Sequence, residues 1–590
     1  MSLVQKIKEV SAKAIEDVFK LSVTADNILV SQTKPEFEGD YTVVLFALIK
    51  QIRKSPEQLG KDIGEYLIEN NKELFTSYNV IKGFLNLTVA DRYFSDFLSG
   101  NFEVPEFRFS GTNIKIVVEY SSPNTNKPLH LGHLRNNFLG WSVAEILKSN
   151  GNDVAKTCVV NDRGIHICKS MIAWKMFSNG ATPESTNAKG DHFVGDFYVK
   201  FSNEHKKETE ELIAAGQSKE DAERNAPIML KTQQMLLDWE QGKPEVINLW
   251  KKMNSWVYKG FAETYKRIGT DFEKIYYESE TYLLGKKFVE EGLKQGVFYK
   301  KDDGSIWIDL TTEGLDEKLV LRKDGTSVYM TQDLGLAEEK YKDFRYDQSM
   351  YIIADEQNYH MKVLELILKK LGKPYADGIF HLSYGMVDLP TGRMKSREGT
   401  VVDADDLVDE MVLEAEKKTK EKSKIEEFST SELKDLYETL ALGALKFYLL
   451  KVDPKKRMVF NPEESIDFHG FTGPFIQYTY ARIKSILRKE SAQAMLPNET
   501  KLEKLEKQLL VLLDQYNNTI QQAAIEYSPA VIANYIYSVA QTYNSFYTVH
   551  SVLKAETEEK KQLRLQLCQL TSNVIKHAMG LLGIKVPERM

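Results

Sequence analysis

The chain reads as a doubly wound α/β core with an inserted connective segment, preceded by a small α+β module and followed by an all-α helical bundle. Three observations predict this. Between about Ile114 and Tyr384 apolar strands alternate with amphipathic helices, the pattern of a parallel sheet covered on both faces. Beyond Asp405 the periodicity is helical almost throughout. Finally, 590 residues exceed what one hydrophobic core organises, so about three or four domains are expected.

Taken in order, residues 1–105 mix amphipathic helices expected at Ile7–Phe19 and Tyr41–Ile52 with the strand-like VIKGFLNLTVA, and a linker holds Pro105. The core is expected over 106–404. Its strands are Ile114–Val118, Val154–Val160, Ser349–Ile353 and Gly378–Tyr384; its helices are Ile165–Phe177, Leu284–Leu293 and Met361–Leu371. Charged helical sequence over about 178–265, including HKKETEELIAAGQSKEDAERN, reads as an insertion between the two halves of the sheet. In 405–590, Leu502, Leu505, Leu509, Leu512 and Leu513 keep one helix face, and Pro529 opens a Tyr-rich helix over Ala530–Tyr547. Most of the aromatics there are read as core, and a few as platforms on which splayed-out bases stack.

Composition narrows the function. A net charge of −7 argues against a nonspecific nucleic-acid coater but permits a local basic face. Cys158, Cys168 and Cys568, odd in number and scattered, suggest reduced thiols and a cytoplasmic protein. No run approaches the ~18 apolar residues of a membrane span, and MSLVQKIKEV has no signal-peptide core.

The most informative segment is VVEYSSPNTNKPLHLGHLRN, Val117 to Asn136. An apolar strand runs into a turn broken by Pro123 and Pro128. Leu131, Leu134, Phe138, Leu139 and Val143 then form the stripe of a helix, which places His130 and His133 at its mouth. Unpaired N–H groups and the positive end of the helix dipole stabilise an anionic phosphate there, and Gly132 permits close approach. An isolated HxxH pair would as readily cap a helix or hold a metal; no Cys or carboxylate stands beside this one at ligand spacing, so no metal site is assigned. With its flanks Asn124, Asn126, Lys127, Arg135 and Asn136, HLGH resembles the HIGH signature of class I aminoacyl-tRNA synthetases in its arginyl version.

Two further constellations follow. GRMKSREGT, Gly392 to Thr400, is dense in cations (Arg393, Lys395, Arg397, with the more distant Arg322 or Lys323) and resembles the KMSKS loop of those enzymes in a degenerate form, MKSR for MSKS. The resemblance implies ATP contacts from Leu131, Gly132, His130, His133, Met394, Lys395 and Ser396. It also implies that Lys127 supplies the charge the loop lacks, with Lys127, His130, His133, Lys395 and Arg397 as the catalytic set. An arginine substrate presents a planar fork of five donors that carboxylates and a hydroxyl meet best. Glu278, Tyr329 and Asp333 offer such groups, and Asn124 and Gln357 offer carbonyl oxygens to an α-ammonium. Each alone reads as a surface polar residue or cap; together they are similar to the family's arginine-binding residues.

The likeness covers essentially the full length, through GPFIQYTYARIKSIL to the terminal VPERM. It implies an arginine–tRNA ligase: ATP, carried with Mg²⁺, activates L-arginine to an adenylate, which passes to the terminal ribose of tRNA(Arg). The ends of the chain would hold the tRNA, residues 1–105 at its elbow and Phe475, Tyr478, Tyr547 and Met590 at the anticodon. A monomer is implied, as is a need for tRNA before activation. Another HIGH-superfamily nucleotidyltransferase, or a non-catalytic tRNA-binding paralogue, are the alternatives. The first has no use for the aromatic helical domain, and the intact histidines and paired acids speak against the second.

Overall fold

A computed structural model describes residues 2–34, 36–103, 107, 113–388, 390, 402–422, 427–493 and 501–590. The core is a five-stranded, wholly parallel sheet. Its order across the sheet is Ile379–Tyr384, Gln348–Ala354, Lys115–Glu119, Asp153–Val160, Lys274–Tyr277. The chain starts in the middle, runs to one edge and returns to the other side of the first strand. The strand order therefore reverses between Lys115–Glu119 and Gln348–Ala354, where such sheets open a crevice at their carboxyl ends.

The turn leaving the first strand is held in an unfavourable conformation. Ser121 and Ser122 have φ of 84° and 44°, a region that non-glycine residues enter at a cost of ~1–3 kcal/mol and keep only when neighbours over-determine them. Here they do. The Ser121 N–H donates to Asn136 Oδ1 at 2.5 Å, Ser121 Oγ bonds the Tyr265 hydroxyl at 2.7 Å, and Asn137 Nδ2 donates to Ser121 Oγ at 3.1 Å. Asn136 also donates to the Ile352 carbonyl at 2.8 Å, locking the helix Leu131–Ser149 to the neighbouring strand. The same helix lies close on the sheet at Gly140, where an added Cβ would stand 2.3 Å from the Tyr120 ring.

Helices spanning Pro183–Ile268 form the insertion. The strand Lys274–Tyr277 and a three-stranded antiparallel sheet (Tyr299–Lys300, Ile306–Ile308, Lys318–Leu321) were not expected. They are two to four residues long, too short for alternation to register. Tyr41–Ile52, expected to be one helix, is a strand, Tyr41–Val44, followed by a helix, Phe46–Ile52. The β-branched pair Val43–Val44 joins Leu29–Gln32 and Phe84–Val89 in a four-stranded antiparallel sheet, and pairing outweighs the helical period there.

The C-terminal bundle packs against the back of the core. Ser142 Oγ donates to the Leu581 carbonyl at 2.7 Å, and the Arg135 guanidinium to the carbonyls of Pro454 and Lys456 at 3.2 and 2.8 Å. The N-terminal module rests on the bundle too. Lys507 bridges Asp40 and Asp91 at 3.0 and 3.2 Å, and the Tyr93 hydroxyl meets Asp514 at 3.0 Å. Among the described residues no helix is long and apolar enough to cross a membrane.

Candidate active site

His130 is the N-cap of the helix Leu131–Ser149. Its Nδ1 accepts the Gly132 N–H at 3.1 Å, while His133 Nδ1 accepts the N–H of His130 at 3.2 Å. The two rings lie 3.9 Å apart. Helix capping is thus one of their tasks, but it uses only one nitrogen of each ring. A Nδ1 that accepts carries no proton, so the neutral ring holds its proton on Nε2. Burial and the nearby Lys127 push His130 down to about 3, and burial, His130 and Lys127 push His133 well below its ordinary value. Both rings are therefore neutral Nε2–H donors at physiological pH, fixed before any anion arrives.

Lys127 is half-buried, burial lowers its pKa, and no carboxylate among the described residues pairs with it. With His130, His192, Tyr198 and Asp403 it lines a cavity of about 200 Å³. Leu131, expected beside the nucleotide, is fully buried, and its N–H donates to the Val402 carbonyl at 3.2 Å. The Ala404 N–H returns to the Leu129 carbonyl at 3.0 Å. The segment entering the helix Ala404–Lys422 is thereby stitched across the histidine turn. Met394, Lys395, Ser396 and Arg397, like Arg393, lie outside the described residues.

Beside this segment Asp191, His192 and Asp405 converge. The Lys189 ammonium sits 3.1 Å from Asp191 and 2.6 Å from Asp405. A lysine thus supplies the cation of the group.

The second feature is a cleft of about 730 Å³ whose lining includes Asn124, Arg163, Glu278, Arg322 and Tyr329. Asn124 bridges to Asn161 at the end of the neighbouring strand. Tyr329, 74% exposed, opens the helix Tyr329–Phe344, with Asp333 four residues on. Burial raises the Glu278 carboxyl to about 7; Arg163 opposes this, while Asp162 and Asp333 add to it. Of the two acids, Glu278 lines this cleft; Asp333 does not line it but lies near enough for its charge to add to the Glu278 shift. Gln357 is exposed on the turn Asp355–Gln357 and is not among the lining residues.

Sequence reasoning passed over three residues here. Asp162, 1% exposed, accepts from the Ser279 N–H, the Ser279 hydroxyl and the Tyr258 hydroxyl at 2.8, 2.7 and 2.8 Å, so it sets the turn that presents Glu278. The Arg163 guanidinium lies 3.8 Å from the Tyr282 ring centroid and pairs with Glu240 at 3.2 Å. His360 bonds Asp333 at 2.6 Å. The signal available for the first two was NDRG, a polar cluster at the carboxyl end of a core strand, where ligands bind in such sheets.

In the bundle, a groove of about 950 Å³ is lined by Tyr478, Tyr547 and Met590 together with Arg482, Arg488, Lys489, Lys554 and Arg589. The Arg482 guanidinium lies 4.8 Å from the Tyr478 ring and 5.2 Å from that of Tyr547. Phe475 is placed elsewhere: it is half-buried with its ring 5.4 Å from Tyr537. Tyr480, Tyr543 and Phe546 are core.

Comparison with known proteins accounts for each region. Residues 104–461 match the model of the class I (R) tRNA synthetase catalytic domain, 476–590 the DALR anticodon binding domain, and 5–89 the arginyl-tRNA synthetase N-terminal domain. The chain is 52% identical to an arginine–tRNA ligase of Flavobacterium psychrophilum and 50% identical to one of Parabacteroides distasonis, all of both chains being covered in each case. Among solved structures, the arginyl-tRNA synthetase of Thermus thermophilus superposes with a TM-score of 0.82 over 100% of both chains at 24% identity, a likeness of fold. The chain belongs to the arginyl-tRNA synthetases of class I.

Proposed function

We propose that the arginine–tRNA ligase activity of the family divides in this chain between the histidine turn and the acidic cleft. The observation that carries this is the bonding of the histidine pair, which occupies both Nδ1 atoms and leaves two Nε2–H donors, with one lysine that pairs with no carboxylate among the described residues, all half-buried, and a second cleft lined by Glu278 with Asp333 nearby. Glu278 and Asp333 take the guanidinium, with Tyr329 beside them. Asn124, and Gln357 once the turn closes on substrate, take the α-ammonium. The arginine carboxylate then attacks the α-phosphorus of ATP in line and pyrophosphate leaves. No covalent nucleophile is needed; the barrier falls because donors already in place meet the charge that grows on the phosphoryl oxygens.

Lys127 lies on the same wall and offsets part of the triphosphate charge, with Lys395 and Arg397 assigned the remainder. Mg²⁺ travels with the nucleotide, held by phosphates and water. In the Asp191, His192 and Asp405 group, the Lys189 ammonium already pairs with both carboxylates. The arginyl group passes to the terminal ribose of tRNA(Arg), whose anticodon is assigned to the basic aromatic groove and whose elbow is assigned to residues 1–105. A cytoplasmic monomer completes the proposal.

The helix Ala404–Lys422 runs from the segment stitched to the histidine turn and packs against the bundle helix Thr430–Leu450. Docking tRNA on the bundle can therefore bias the histidine turn, provided it binds one arrangement better than the other. Arginine-dependent exchange of pyrophosphate into ATP tests the whole reading. It is expected to be nearly absent without tRNA and to appear with tRNA whose terminal ribose has been oxidised. Exchange that ignores arginine would refute the ligase reading, and full exchange without tRNA would refute the coupling alone.

A further inference from the structure

Asp333 and His360 face each other across the start of two helices, Tyr329–Phe344 and Asn358–Lys370. Nε2 of His360 lies 2.6 Å from Asp333 Oδ2, the one hydrogen bond to that carboxylate among the described residues. Asp333 raises the imidazole above its ordinary pKa, against the effect of burial. Of the other charged or titratable groups on the packed elements, Glu356 is exposed on the turn before the second helix, and the following are engaged elsewhere. Asp355 pairs with Arg457 at 3.7 Å, Asp377 with Lys369 at 3.1 Å, Glu338 accepts the Tyr375 hydroxyl at 2.7 Å, and His381 bonds the Ile353 carbonyl at 3.0 Å. Burial holds the Tyr351 phenol protonated, and the Lys318 ammonium stands over the Tyr359 ring. Glu278, which burial raises to about 7, is also near Asp333.

We infer that His360 is a positioning residue that serves as the counter-cation of Asp333 in the empty cleft, and that arginine binds by exchanging its guanidinium for the imidazole proton. The inference rests on Asp333 being a partner of arginine. A guanidinium docks on a carboxylate through two parallel N–H bonds to its two oxygens, and His360 already donates to one of those oxygens. An imidazolium and a guanidinium held against the same carboxylate would repel each other at close range in a partly desolvated site. Of the two, only the imidazole can shed its charge at physiological pH. Asp333 carboxylate paired with imidazolium, plus guanidinium, therefore gives carboxylate paired with guanidinium, neutral imidazole and one released proton. Before substrate arrives the exchange keeps Asp333 ionised and aimed. It also rejects uncharged isosteres, because citrulline cannot replace the charge that leaves.

Titration calorimetry on the full-length protein, with arginine in buffers of different ionisation enthalpy near pH 7, counts the protons released. The wild type should release more than His360→Gln, whose amide donates to Asp333 without a proton to lose. Glu278→Gln should retain the imidazole share: below the imidazole pKa its Kd for arginine should rise up to about tenfold for each unit by which the pH is lowered, a slope lost when His360→Gln is added. Where His360→Gln lowers the melting temperature, His360→Asn gives the same comparison. Equal proton release by wild type and His360→Gln overturns the exchange, as does no release from Glu278→Gln. An Asp333→Asn protein that binds arginine as tightly as wild type would instead overturn the pocket assignment itself.

Discussion

The histidine turn and the arginine cleft lie at the carboxyl ends of one sheet yet solve opposite electrostatic problems. At the turn, His130 and His133 are held neutral by burial, and their Nδ1 atoms are consumed by backbone N–H groups. Among the described residues the turn offers oriented dipoles and the lysine Lys127. At the cleft, burial raises Glu278 to about 7, with Asp162 and Asp333 adding to it, and the nearby Asp333 is paired with His360. Reaction charge that exists only in the transition state is met by fixed neutral donors, which cost no reorganisation. On the proposed reading, the permanent charge of the substrate is met by Glu278, which becomes fully ionised when it arrives, and by Asp333, held ready by His360.

The difference is broken most severely at the turn. His133→Ala or His130→Ala should cut adenylate formation by ~100-fold or more, the loss of one preorganised donor, with arginine affinity nearly unchanged in equilibrium titration. Near-normal turnover in both would return the pair to helix capping. Lys127→Ala should slow adenylation to a similar degree, and a loss seen only in thermal melts would mark a structural lysine.

Substitutions in the cleft should act on binding. Asp333→Asn and Glu278→Gln each remove charge while keeping shape, and should weaken arginine by roughly 1.5 to 3 kcal/mol while leaving ATP affinity nearly intact. The cleft should also be sensitive to pH where the turn is not. On the proposed reading Glu278 takes the guanidinium as its anion, and burial raises it to about 7, so arginine affinity should rise with pH through neutrality and level off above it. Glu278→Gln should remove that share of the dependence. Over the same range the neutral histidines add none, because His130 titrates at about 3.

The smallest effects are expected in the bundle groove, remote from both sites. Tyr478→Ala or Tyr547→Ala should each weaken tRNA by about 1 to 3 kcal/mol, the worth of one base stack, without altering exchange at saturating tRNA. Phe475→Ala should act on stability, since its ring packs on Tyr537. An unchanged footprint at the anticodon loop in the tyrosine variants would assign those rings to the protein surface alone.

What could be read from sequence follows the same division. The histidine turn is local: strand, turn, cap and helix stripe lie within about twenty residues, so pattern alone locates it. The parallel core was legible for the same reason, its strands and helices being long and periodic. The short strands, Lys274–Tyr277 and the antiparallel trio, were not, because a few residues carry no period. The cleft is a tertiary assembly. Glu278, Tyr329 and Asp333 could be named by likeness, but what tunes them comes from distant segments: Asp162 setting the turn at Glu278, Arg163 opposing its neutralisation, His360 occupying Asp333. Side-chain pairing across a sheet leaves no mark on local sequence.

The division of labour is tested most directly by steady-state kinetics of arginine-dependent pyrophosphate exchange, with tRNA present, comparing His133→Ala with Asp333→Asn. The account predicts that His133→Ala lowers kcat by ~100-fold or more with KM for arginine nearly unchanged, while Asp333→Asn raises KM for arginine by at least ~10-fold with a smaller change in kcat. If both variants shifted the same parameter by similar factors, the turn and the cleft would not be separate instruments, and the account would be wrong.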